Sequence, residues 1–544
     1  MFSTLTVLAA LAAAPTDRPK LPITGLPASV HVPDLCKYQY RVSTTSDECQ
    51  KFCDEAFGYY YSYVWMEAAR SFETALRHDP DCALAWLGLH RSLEKWGKTK
   101  TPKPDGLLAV LGGALQSKLP DQFSKAPHDF ALAQAQKLMG KASHRESLLI
   151  QARLQERGLW PDVKPEDRKK RANQTLDELL SLYEDDEEGW FAKAQLAEGQ
   201  FGPIAMYKAL LRVNPLHPGA NHELVHAFEN VRRPALGWPH AEAYIASSPK
   251  LPHAFHMQAH LGMRVGKWQK TTDWSARAYE LEKEYHKTLG VKPDEDHQFR
   301  HHAETLTRSL VHDGRFAEAT ALRKESEAYK YFFRPEWFRQ AVAEKNWSDA
   351  EKIVNDMSKT DKVTRAYYMA IIALERGQPE RAKAELDILK QTNQSKRNDR
   401  IRELRLWEIQ GRYECQTGNG EAGVKLLRRT IDKTKDDYQH HAWGAGAYYM
   451  EVWGIAALEG GIAAEAEEAF QEALAHDAGS VRGALSLWAL CERLGRTEEA
   501  ERYLKVARRC WARAESRHFE ALKADFATKA LKLPTSSVAA KAAE

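Results

Sequence analysis

No run of eighteen consecutive apolar residues occurs anywhere in the chain, and mean hydropathy is −0.57, so a polytopic helical membrane bundle is excluded. Glycine and proline are scarce, 31 and 23 of 544 residues, which argues against a turn-rich all-β protein. An excess of charge of either sign is missing too. With 78 Lys and Arg against 75 Asp and Glu, nothing in the balance implies nucleic acid or another strongly charged polymer as partner. The seven cysteines form no CxxC, so a zinc ribbon or thioredoxin-type motif is unsupported. No Walker loop, no GxGxxG opening a helix and no GxSxG are present.

What remains is a long, aromatic, evenly charged chain. At 544 residues it exceeds the ~250–300 residues over which one hydrophobic core grows, so several domains or a repeat array are required. Hydrophobic residues at 43% and 15 Trp exclude disorder throughout. The stretch Met1–Ala14, MFSTLTVLAALAAA, reads as a short secretory signal, which implies an exported, periplasmic or envelope-associated protein; without a signal there, the protein would be cytoplasmic. Residues 15–46 read as an extended linker, Pro-rich as far as Pro33, and in an exported protein Cys36 could pair with Cys49 or Cys53. The tail from Leu533 is small and polar.

Apolar residues recur at helical spacing, interrupted every dozen or so residues by Gly, Asp-Pro or Asn-Pro. In Phe52–Asp81 small Ala68 and Ala75 flank Phe72, and Pro80 ends the second helix. Trp86 and Leu89 then open the next helix 34 residues after Phe52 and Glu55. That is the period of a helix-turn-helix solenoid, in which each unit buries its apolar face on its neighbours. The pattern resembles the tetratricopeptide repeat (TPR) superfamily. Its turn signature returns at Gly266/Trp268/Ala278, Gly314/Phe316/Ala319, Gly377/Ala382 and Gly495/Ala500/Tyr503/Ala507, and Glu465–His476 is similar to a second TPR helix. The expected fold is therefore an all-α, TPR-like helix-turn-helix solenoid. Its divisions are TPR-like repeats over 47–125, irregular hairpins over 126–215, His-rich repeats over 216–330, further repeats over 331–513, and a terminal helix with a frayed tail over 514–544.

Histidine is distributed unevenly: 12 of 21 lie between His217 and His312. His222 and His226 share a helix face, as do His256 and His260, and each pair is offset from the other by 34. Glu229 follows His226 by three and His253 precedes His256 by three. Aligning Gly314 with Gly266 brings His301 level with His253 and Glu304 level with His256. The sequence thus predicts one converging site made of His222, His226, His253, His256, His260, His301, Glu229 and Glu304. Imidazoles with carboxylates suit zinc first, with copper, iron or nickel as alternatives. Without a metal the same residues make a pH-sensitive groove.

The segments HPGANHELVH and HAFHMQAHLGMRVG also resemble a histidine-rich branch of bacterial TPR proteins, as do VSTTSDECQKF at Val42–Phe52 and HDPDCALAWLG at His78–Gly88. The chain departs from that branch at Glu304, where the branch tends to carry His, and at YQHHAWG, Tyr438–Gly444. The resemblance implies that the histidines line a concave groove, with Leu224 and Phe228 turned to the core. His222–His226 also spells HELVH, in which Glu223 would be the general base of a metal-dependent hydrolase; a salt bridge from Glu223 to Arg232 or Arg233 is the plainer alternative. Three functions follow: a binding or scaffold protein with a metal in its groove, a hydrolase using HELVH, or a metal-free scaffold that docks a protein or peptide.

Overall fold

The computed structural model describes residues 18–101, 125–357, 359, 361–395, 399–436 and 447–534. The expected signal over 1–14 lies outside these residues, as do YQHHAWG and the end of the tail. Among the described residues the chain is all-α, with one isolated bridge, Lys20 to Pro27, and no strand. No described helix is long and apolar enough to cross a membrane. Successive helices form TPR-like helix-turn-helix pairs, and each packs chiefly on its neighbours in the chain.

Two compact units are present: Met1–Gln258 with Arg277–Phe299, and Ala259–Ala276 with Arg300–Glu544. In the first, the helix Asp47–Tyr61 begins at Ser46, whose side chain accepts from the Cys49 amide, with Asp47 and Glu48 placed favourably in the first turn. It packs on Trp65–His78, which packs on Ala83–Lys95. Small residues set the approach. Ala68 and Ala75 are fully buried, and a Cβ on Gly88 would lie 2.4 Å from the Phe72 ring, so glycine there is what lets the ring seat.

The second unit repeats the device. Ala466, Phe470 and Ala473 on Ala463–His476 keep the spacing of Ala68, Phe72 and Ala75, and all three are buried. Gly454 faces Phe470, where a Cβ would meet the ring at 2.5 Å. The turn glycines Gly266, Gly314, Gly377 and Gly495 all take φ between +64° and +74°, the left-handed conformation that ends a helix cheaply only without a Cβ. The terminal helix Ser516–Ala530 covers Tyr448–Glu459 and Val481–Arg493 through Phe519 and Phe526.

The segment before the first helix, read as an extended linker, carries no helix and is bound to the first unit along its length. Leu21, Leu35, Tyr38, Tyr40 and Val42 are buried. Glu73 accepts from the amides of Ile23 and Thr24, Lys37 donates its amide to the Ser247 carbonyl, and the phenols of Tyr38 and Tyr40 donate to Glu188 and Asp186. Apolar burial and paired backbone groups hold this segment down. The suggested Cys36 disulfide is absent: all seven cysteines are free thiols. Cys36 presses its Cβ toward Gly58 and directs its sulfur to Ser248 Oγ, 3.5 Å away.

Candidate metal centre

The motif HPGANH divides into separate tasks. His217 caps the helix Pro218–Asn230, its Nδ1 accepting from the Ala220 amide at 3.1 Å, and Pro218 opens the first turn. Asn221 clamps the turn, donating to the carbonyls of Pro215 and His217 and accepting from His240 Nδ1. Gly219 is the close approach: a Cβ there would sit 2.3 Å from Tyr61 Cδ1 and 2.7 Å from Phe191. Tyr61 therefore lies against this helix, and its carbonyl reaches His222.

That carbonyl sets the chemistry of His222. Nδ1 of His222 lies 2.7 Å from the Tyr61 oxygen, so Nδ1 donates to that carbonyl and Nε2 is the ring nitrogen turned outward. Facing it are His226 Nε2 at 3.1 Å and His253 Nε2 at 3.0 Å. One ring nitrogen thus meets two further imidazole nitrogens. Three ligand nitrogens around a cation with metal–nitrogen bonds of ~2.0–2.1 Å stand roughly 3.3 Å apart, so the spacing fits such a centre after a small expansion. His222 and His253 are buried and His226 is half-exposed, which leaves one side of the trio open.

Aromatic rings and a carboxylate frame the trio. Tyr244 stacks on His222 at 5.1 Å with its hydroxyl bonded to Ser62 Oγ. Tyr63 lies nearly parallel to His226 and also meets His222 and His253, at 4.4 and 5.6 Å between ring centres. Its backbone is left-handed, φ 60°, in the short turn between the first two helices. The Tyr63 hydroxyl donates to Glu223 at 2.9 Å, and burial with this carboxylate holds its pKa far above the usual phenol value. Glu223 therefore pairs with Tyr63, and the suggested bridge to Arg232 or Arg233 is not what the structure has; Arg233 donates to the Arg232 carbonyl.

The expected single centre is rearranged. His222 and His226 are completed by His253, 31 positions on from His222, where repeat register had paired His222 with His256. The partner falls nearly one helical turn early, because residues at equal height in successive repeats need not touch where their helices are inclined. His256 lies behind His253, ring centres 5.6 Å apart. Glu229 stands 3.5 Å from His226 Nδ1, the ring nitrogen opposite the one that faces His222. In the second unit, His260 and His301 meet edge to face at 5.8 Å, while Glu304 pairs with Arg308. The groove expectation is corrected as well: His222, His253, His256 and His260 are buried and do not line an open face. Leu224 and Phe228 are buried, as the resemblance implied.

Several histidines without a role in the sequence reading have one in the structure. His286 bonds to Asp296 at 2.9 Å, His297 stacks on Trp65, and His312 stacks on Trp268 while contacting Asp477 at 3.0 Å. Tyr61 and Tyr63 were missed at the site. Tyr61 ends the first helix and Tyr63 lies in the turn after it, both more than 150 positions away, and a left-handed tyrosine such as Tyr63 leaves no mark in a sequence.

Neither protein-family models nor curated proteins give any match to this chain. Solved structures give distant ones. They include a human IFIT1 dimer with PPP-AAAA, at 12% identity over 84% of this chain and 88% of that one, TM-score 0.26. Another is Naa15/Naa10 bound to HypK-THB, at 11% identity over 87% and 95%, TM-score 0.21. Scores this low carry no argument, and the fold rests on the helices described above.

Proposed function

We propose that this chain is a TPR-type binding or scaffold protein that holds a transition metal on His222, His226 and His253. Supporting this is one observation above others: two imidazole nitrogens lie 3.0 and 3.1 Å from Nε2 of His222, whose other ring nitrogen is held by the Tyr61 carbonyl. Three imidazoles favour zinc, with copper, iron and nickel acceptable to the same donors. The half-exposed side at His226 is where a fourth ligand from a protein or peptide partner would enter. The likeness to the histidine-rich bacterial TPR branch agrees with this reading, because HPGANH builds the helix that carries two of the ligands.

The test is elemental analysis of untagged protein purified without added metal. One histidine-dependent metal per chain is expected: His226→Ala and His253→Ala should each lower the metal content by about one equivalent, and Cys82→Ser should leave that equivalent in place. Metal content that is far below one and indifferent to these histidines would overturn the reading and leave the metal-free docking scaffold. A hydrolytic reading draws support from the Tyr63–Glu223 bond, which places a carboxylate beside the phenol lying across the imidazoles. In that case Glu223→Gln keeps the metal and abolishes turnover of a peptide or ester substrate; unchanged turnover removes Glu223 as a base.

A further inference from the structure

A second cluster of ligating side chains lies in the first unit, away from the histidines. Cys49 and Cys53 are one helical turn apart on Asp47–Tyr61, and Cys82 occupies the N-cap position of Ala83–Lys95. One helix-turn-helix pair brings the three together: each sulfur lies within 4.8 Å of the other two, all are fully buried, and none is bonded to another. A lone buried cysteine is an ordinary small apolar residue. Three sulfurs meeting at one point are not accounted for by that, since ordinary packing would place a methyl group as readily at each.

Cys49 stands in the first turn of one helix and Cys82 at the head of another, so two helix N-termini, with their partial positive charge, converge on the cluster.

We propose that Cys49, Cys53 and Cys82 form a three-thiolate site for a soft d10 cation, copper(I) or zinc. Binding forms three sulfur–metal bonds and releases the thiol protons to solvent, with no change of oxidation state. A planar set of three sulfurs suits copper(I). Zinc would need a fourth donor, which water or the Thr44 hydroxyl beside Cys49 supplies. Because the sulfurs are buried in the core that joins the first helices, the ion enters as the unit folds and stabilises it.

The experiment uses the full-length reduced protein, titrated anaerobically with copper(I) and separately with zinc. The readouts are the sulfur-to-metal charge-transfer band for copper(I) and metal-edge X-ray absorption for both. One equivalent in an all-sulfur shell of three identifies copper(I), and three sulfurs with one oxygen identify zinc; either supports the site. Cys53→Ser and Cys82→Ser should each lose that signal, while Cys415→Ser, a buried thiol of the second unit, and His226→Ala should keep it. X-ray absorption on the unsubstituted protein decides the matter should the serine variants fail to fold. In His226→Ala protein, a nitrogen and oxygen shell without sulfur, no bound equivalent, or a disulfide within the trio in the mass spectrum of the non-reduced protein would overturn the proposal.

Discussion

At the residue scale the sharpest dependence falls on Gly219. Its missing Cβ is the space that Tyr61 fills, and Tyr61 in turn orients His222. Gly219→Ala should cost about 1–3 kcal/mol through overpacking, measured by urea unfolding, and should lower metal content although every histidine remains. Tyr63→Phe makes the contrasting case. It removes the bond to Glu223 but keeps the ring over the imidazoles, so a loss of about 1–3 kcal/mol with metal retained is expected. His217 supplies a pH dependence. Burial lowers its pKa to about 3 from 6.5, so the folded state binds the proton less readily than the unfolded chain does. Its contribution is complete above pH 6.5 and declines as pH falls from there toward 3, by on the order of 1 kcal/mol per unit. His217→Asn, which can still cap the helix, should flatten the fall in Tm between pH 6.5 and 4 relative to the unsubstituted protein. An identical slope would remove His217 as the source.

At the scale of the element, the glycines sort into two kinds that sequence alone treats alike. Gly88 and Gly454 admit the rings of Phe72 and Phe470, and alanine at either should cost about 1–3 kcal/mol in denaturant unfolding. Gly377 has open space around it and a left-handed φ of 64°, so alanine there should cost only about 1 kcal/mol. This difference shows how far the sequence reaches. Helices, turn glycines and the Ala68/Phe72/Ala75 spacing were legible because they follow from periodicity within about 34 residues. His222 and His226 were legible for the same reason. The third histidine of the trio was placed one turn away, since repeat register fixes height along a helix but not the crossing that decides which rings touch. Cys82 was not linked to Cys49 and Cys53, because an intervening hairpin of some thirty residues hides their meeting. The N-terminal segment was misjudged through its prolines, while its scattered Leu21, Leu35, Tyr38 and Val42 carry the burial.

For the molecule as a whole, charge is balanced, 78 basic residues against 75 acidic. Nucleic-acid binding driven by phosphate neutralisation needs a concentrated basic surface, and its affinity falls steeply with salt. A titration with single-stranded RNA at physiological salt should therefore show no binding, and added salt should change nothing. Saturable, salt-sensitive binding would refute this.

The turn between the first two helices carries a consequence for the order of events during synthesis. Tyr61 and Tyr63 emerge 161 and 160 residues before the side chains they touch, His222 and Glu223. A fragment beginning after this turn would keep all three histidines and both helices that bear them, yet lose the carbonyl that orients His222 and the phenol that bridges to Glu223. The trio thus depends on a long-range contact: the orientation of His222 requires that the beginning of the chain be in place against the helix that carries it.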